Sequence, residues 1–134
     1  NIKFQNIDLI INNGPYTKTY GGNLDIRPSY SLDYSVFKFD ISAIYGQNLK
    51  NIEIEKFKLK WDNELPNFYT HAIEIINFSD LIINDFYGQP GPKNQKLSTI
   101  KLSNGNKTLL KNCETPKEYN LLEQENTKNI TITK

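Results

Sequence analysis

The stretch Tyr16–Lys60, "YTKTYGGNLDIRPSYSLDYSVFKFDISAIYGQNLKNIEIEKFKLK", consists of runs of alternating apolar and polar residues punctuated by Gly, Pro and Asn. Phe37, Phe39 and Ile41 share one face while Lys38, Asp40 and Ser42 share the other, the period of two that a strand with one dry and one wet side requires. Three strands separated by turns are expected here. Extended along the chain, the pattern predicts an all-β fold, an antiparallel β-sandwich of jelly-roll-like form with about eight strands.

Within this stretch the apolar phase changes once. Ile52 and Ile54 occupy even positions, whereas Phe57, Leu59 and Trp61 occupy odd ones. An extra residue near Glu55-Lys56, a β-bulge, accounts for the switch, because a bulge resets which side chains face inward. Upstream, Ile7, Leu9 and Ile11 form an opening strand that stops at Asn12-Asn13-Gly14-Pro15, and short strands are expected at Leu24–Arg27 and Ser35–Ile41.

Downstream, Tyr69–Phe78 reads as a strand and Asp80–Phe86 as either a short helical turn or a strand edge. The run Tyr87-Gly88-Gln89-Pro90-Gly91-Pro92 breaks every ladder and is expected as a surface loop. Leu97–Leu102 is a strand, Asn104-Gly105 a hairpin turn, and Thr108–Leu110 the returning strand. Pro116–Glu125 has room for one helical turn, and Asn129–Lys134 closes the chain as an alternating strand. Neither an internal repeat nor a low-complexity linker stands out, so residues 1–134 are expected to form one domain.

Several of these segments resemble a known family. "DLIINNGPYTKTYGGNLDIRP", then "YSVFKFDIS", then "NIEIEKFKLKW" are similar to the opening of the DNRLRE, or disaggregatase-related, modules. The matching positions are Asp8, Tyr20-Gly21, Leu24 to Ile26, Phe37 to Ser42 and Ile52 to Leu59, and they cover roughly the first half of the chain. The second half departs from that pattern, although "FYGQPGP" stands where those modules carry an Asn-Gln-Pro loop. The resemblance implies a secreted β-sandwich similar to carbohydrate-binding modules, found on extracellular and cell-surface proteins, and implies no activity.

Composition narrows the partners. A net charge of +1, with Arg27 the single arginine, gives no electrostatic basis for nucleic acid as a partner. No segment has the length and apolarity of a membrane span. The chain contains no Met and begins at Asn1, so either a leader has been removed or the chain is a piece excised from a longer one; a processed, exported protein is the simpler expectation. Cys113 is the only cysteine, so no internal disulfide forms; it is expected to be a small apolar filler, with an intermolecular disulfide as the alternative.

Catalytic machinery is not expected. His71 is the only histidine and has no nucleophile motif beside it, and one His with one Cys cannot make a zinc site. Asp62/Glu64 and Asp80/Asp85 are carboxylate pairs by count alone. No cofactor is required; a structural Ca2+ held by Asp and Asn oxygens is the one metal considered, with Asp25, Asp33 and Asp40 as its candidate ligands. For glycans the candidates are Trp61, Tyr69 and Tyr87, aromatic rings near turns that can act as stacking platforms. Asn77, Asn106 and Asn129 stand in N-glycosylation triplets.

Both termini read as strands, and a terminal strand that adds to a neighbour's open sheet completes that ladder. Repeated head to tail, this contact builds a filament. The expected function is a non-catalytic, secreted structural subunit that polymerises into a cell-surface filament by strand complementation, exchanging a segment within Asn1–Ile11 or Asn129–Lys134. The alternative is a carbohydrate-binding module of a larger secreted enzyme or adhesin.

Overall fold

Every strand pairing in the structure is parallel. The structure is a computed structural model and describes residues 1–15, 17 and 40–134. Its strands are β1 (Ile2–Ile11), β2 (Ile44–Trp61), β3 (Ile73–Tyr87), β4 (Ile100–Glu114), β5 (Leu122–Glu125) and β6 (Lys128–Thr133). β1 pairs with β2, β2 with β3 and β3 with β4, while β5 and β6 lie end to end on the far edge of β4. The expected antiparallel sandwich of about eight strands is therefore corrected to six parallel strands among the described residues. Period-two burial specifies a strand's two faces and is silent about the direction of its neighbour, which is why the alternation permitted either arrangement.

Chain length forces these strands to curl. A straight strand as long as β4 would span about 50 Å, yet only residues 115–121 lead from its end to Leu122, which sits beside its first residue, Ile100. Those residues reach about 28 Å at full stretch. The strand must bend back on itself: β2, β3 and β4, each with the connection that follows it, make successive coils of a β-solenoid, and β5 and β6 run together along the next.

The bends are visible in the backbone. Among the described residues, twelve that are not glycine have φ between 49° and 59°, and eight of them are Asn, a residue that tolerates this left-handed region well. They stack in three columns set by the register: Asn48, Asn77, Asn104 and Asn126; Asn51, Asp80, Lys107 and Asn129; and Asn6, Lys56, Asp85 and Asn112. At most corners two consecutive residues leave the core, as Asn84-Asp85 do between buried Ile83 and Phe86; at Asn104 the preceding Ser103 is itself buried. The phase change near Glu55-Lys56 is such a corner and not a bulge, since Lys56 has φ 52° and turns the strand onto the next side of the coil.

Inside, like residues lie on like. Ile54, Ile83 and Leu110 form one column, Phe57 and Phe86 another, and Ile75 and Leu102 a third, all of them buried. The Phe57 and Phe86 rings stack with centroids 6.1 Å apart. Connections stack as well: Thr70 N donates to the Ile41 carbonyl at 2.8 Å, Gly91 N to Thr70 O at 2.6 Å, and Thr99 N to Asn120 O at 2.8 Å. These bonds close the remaining wall of the coil around the core.

Other local expectations change with the fold. Asn104-Gly105 is no hairpin: Asn104 is a corner within β4, and Gly105 faces inward opposite Phe78, whose ring fills the space a side chain would take. Thr108–Leu110 accordingly continues β4 instead of returning from a turn. Asp80–Phe86 is strand, and Pro116–Glu125 holds a turn and then β5 with no helix. Gly88, Pro90 and Gly91 are buried, so the middle of the Tyr87–Pro92 loop is packed into the wall, while Tyr87 stays exposed. The strand expected at Leu24–Arg27 and most of that at Ser35–Ile41 lie outside the described residues. Among the described residues no helix is long and apolar enough to cross a membrane.

One corner carries a residue poorly suited to it. Lys56 holds the left-handed conformation with a long side chain, between Asn6 and Asp85 in its column. Lys56→Asn is expected to stabilise the fold by about 0.5–1 kcal/mol, seen as a higher urea midpoint with an unchanged slope. A lowered midpoint would contradict the corner assignment.

Candidate functional site

The corners leave a lattice of amides on the outside of the coil. Asn77 Nδ2 donates to Asn48 Oδ1 at 3.2 Å, Asn126 Nδ2 to Asn104 Oδ1 at 3.3 Å, and Asn112 Nδ2 to Asp85 Oδ1 at 2.9 Å. Asn129 Nδ2 donates to Asn106 Oδ1 at 2.8 Å. Each bond ties one coil to the next: Asn48–Asn77 and Asn104–Asn126 pair like residues in register, Asp85–Asn112 pairs a carboxylate with an amide in register, and Asn106–Asn129 reaches one position across. Asp80 takes part through Lys107, whose Nζ lies 3.3 Å from Oδ1. The Asp80 and Asp85 carboxylates are thus corner residues engaged with neighbouring coils.

Two of the three proposed glycan-stacking residues meet. Trp61, at the end of β2, packs edge-on against Tyr69 with ring centroids 6.0 Å apart, and Tyr69 stacks on Phe68 at 5.1 Å. With Leu65 these rings form a small second core beneath the connection between β2 and β3. Tyr69 is only 9% exposed, and burial raises its phenol above the usual value. Trp61 Nε1 donates to the Gln89 carbonyl at 2.8 Å, which pins the 87–92 loop to the cluster. Tyr87 stays apart from this group, exposed on the outer face between Lys58 and Glu114.

Near the start of β2 and β3 a cleft of about 580 Å³ is lined by Asp40, Ile41, Ser42, Tyr45, Glu74 and Ile76. Ser42 Oγ donates to Glu74 Oε2 at 2.8 Å, and Lys101 Nζ sits 3.3 Å from Glu74 Oε1. Tyr45 is exposed at the rim. Of the candidate Ca2+ ligands Asp40 lines this cleft, while Asp25 and Asp33 lie outside the described residues. Among the described residues no three His, Cys, Asp or Glu side chains gather to hold a metal ion.

The remaining singled-out residues have structural places. His71 is buried, and its Nδ1 lies 2.7 Å from the Ser98 carbonyl, which can only accept, so Nδ1 carries the proton. Asp62 accepts from the backbone N–H groups of Glu64 and Asn13, and these two bonds lower its carboxyl pKa while tying the end of β2 to the segment after β1. Asn77, Asn106 and Asn129 are all exposed, but Asn77 and Asn129 donate their Nδ2 to the ladder, the atom to which a glycan would be attached.

Cys113 continues the Phe86 column inward on β4, and burial pushes its thiol up to about 11. At pH 8 the thiolate fraction is therefore minute, and alkylation by iodoacetamide is expected to run at least tenfold slower in the folded protein than in urea. Equal rates in the two states would place Cys113 outside the coil.

Sequence reasoning passed over the corner amides, the most regular polar feature of the molecule. Their signal was present: "NLKNIEIEKF" from Asn48, "NFSDLIINDF" from Asn77, "NGNKTLLKNC" from Asn104 and "NTKNITITK" from Asn126 align at every corner and core position. The chain does contain an internal repeat, contrary to expectation. No family model matches the chain, and neither a curated protein nor a solved structure does.

Proposed function

We propose that the chain is a non-catalytic structural subunit of an extracellular filament, a rigid β-solenoid rod that is lengthened by adding strands at its open ends. The observation that carries this is the state of the two end strands. Among the described residues β1 pairs only with β2, and β6 only with β4, so each presents an unpaired backbone edge. Ile2, Phe4 and Ile132 are 39%, 38% and 56% exposed, although their columns are almost completely buried one coil further in. A solenoid with such ends invites further stacking unless something caps it. The extracellular setting draws on the resemblance to modules of cell-surface proteins.

Size-exclusion chromatography and negative-stain imaging over a range of concentrations test this reading. Polymers or rods longer than a single chain are expected; a monomer that persists at every concentration would sink it. A second reading, glycan binding, draws on the cleft, where exposed Tyr45 stands beside Asp40 and Glu74. Glycan-array binding lost in Tyr45→Ala and kept in Tyr87→Ala would favour it.

A further inference from the structure

The register within the coil fixes how two copies would meet. Column by column, Ile2 lies on Ile52, Ile52 on Leu81, Leu81 on Thr108 and Thr108 on Ile130. In the adjacent column Phe4, Ile54, Ile83, Leu110 and Ile132 follow one another. One further step of the same rule, taken from β6, arrives at the β1 of another copy. We propose that β6 of one chain pairs in parallel with β1 of the next, with Ile130 beside Ile2 and Ile132 beside Phe4, so that the filament grows head to tail with a single polarity. This inference rests on the filament reading and adds its joint.

The two edges suit each other in three respects. Apolar side chains meet apolar side chains, and three residues exposed in the single chain become interior, as their columns already are elsewhere. Outward positions bring Lys3 beside Thr131 and Gln5 beside Thr133, which opposes no like charges. Asn1, one residue before Ile2, comes level with Asn129, which sets amide beside amide as Asn48 and Asn77 are set within the coil. The contact is heterologous, so its repetition extends the coil in one direction instead of pairing two copies symmetrically. Only about six residues of each chain overlap, so main-chain ladder bonds supply much of the affinity and a single joint is weak.

Cross-linking in solution tests the joint. Lys3→Cys and Thr131→Cys are made separately in a Cys113→Ala background, then oxidised alone and as a mixture. A disulfide between positions 3 and 131 is expected only in the mixture, at least fivefold above links formed by either variant alone. Links of 3 to 3 or 131 to 131 that match or exceed it would overturn the proposal, as would a yield no higher than that of a control pairing with Lys93→Cys. Polymers on the grid without the 3–131 link would overturn the register while leaving the filament reading intact; the absence of both polymers and link would overturn both. Ile132→Lys, at a site exposed in the single chain, is expected to keep the circular dichroism spectrum and lower polymer yield at least tenfold. Unchanged polymerisation in that variant would also overturn the joint.

Discussion

Gly91→Ala is expected to cost about 3 kcal/mol or more, because its methyl group has nowhere to go. A Cβ at residue 91 would stand 2.0 Å from the Tyr69 carbonyl oxygen and 2.6 Å from its carbon. These are backbone atoms, so no rotamer change relieves the clash, and the two connections must part. Parting them removes the 2.6 Å bond from Gly91 N to the Thr70 carbonyl and disturbs the Tyr69 carbonyl that accepts from Asn94 Nδ2 at 2.6 Å. Trp61, edge-on to Tyr69, would lose its seat as well. Gly14→Ala is the control, since nothing lies within 4 Å of the Cβ it would add, and it is expected to change stability by no more than about 0.5 kcal/mol. Urea unfolding of both variants decides the matter; similar midpoints would show that the two connections do not press together.

Phe86→Ala comes next, at about 3–5 kcal/mol. Its ring is 1% exposed, stacks on Phe57 and lies inward of the corner at Asp85. Removing it opens a cavity between Phe57 and Cys113, its neighbours in the column on the two adjacent coils. The neighbouring isoleucines offer a sharper comparison: Ile83 is fully buried while Ile82, one residue earlier, is 41% exposed. Ile83→Ser should therefore destabilise by several kcal/mol, and Ile82→Ser should stay within about 0.5 kcal/mol of the parent. Equal losses would mean that β3 does not separate core from solvent as its register requires.

The sequence made strand character legible but left strand direction hidden. Alternation marked β1 to its end near Ile11, the closing strand over Asn129–Lys134, which the structure places at Lys128–Thr133, and the place near Glu55-Lys56 where inward and outward exchange. What it could not distinguish was a bulge or a hairpin from a corner. All three draw on residues that tolerate positive φ, so Asn104-Gly105 fits a type I′ turn in a hairpin as well as it fits a bend in a continuing strand. The inward Gly is explained only once Phe78 is known to lie across from it.

The repeat was obscured by its uneven spacing. Ile52, Leu81, Thr108 and Ile130 share a column, but the connections between them differ in length, so no fixed period appears along the chain. Each corner carries Asn, Asp or Lys, and the outward residues between corners differ in type from coil to coil, as Glu53, Ile82 and Leu109 do. The abundance of Asn, which coding bias could also produce, has a physical use here: it supplies eight left-handed corners and most of the amide ladder. Of the aromatic residues considered for glycan stacking, chain order could bring Trp61 near Tyr69 but could not show that Phe68 and Leu65 bury the second ring.

A nuclear Overhauser spectrum of the isotopically labelled protein tests the parallel coil most directly. Cross-peaks from the Hα protons of Ile54 and Ile83 to amide protons at the facing positions around Ile83 and Leu110 are predicted, with no strong Hα–Hα peaks between any of β2, β3 and β4. Strong Hα–Hα peaks linking residues on either side of Asn104-Gly105 would show a hairpin there, and the solenoid would be wrong.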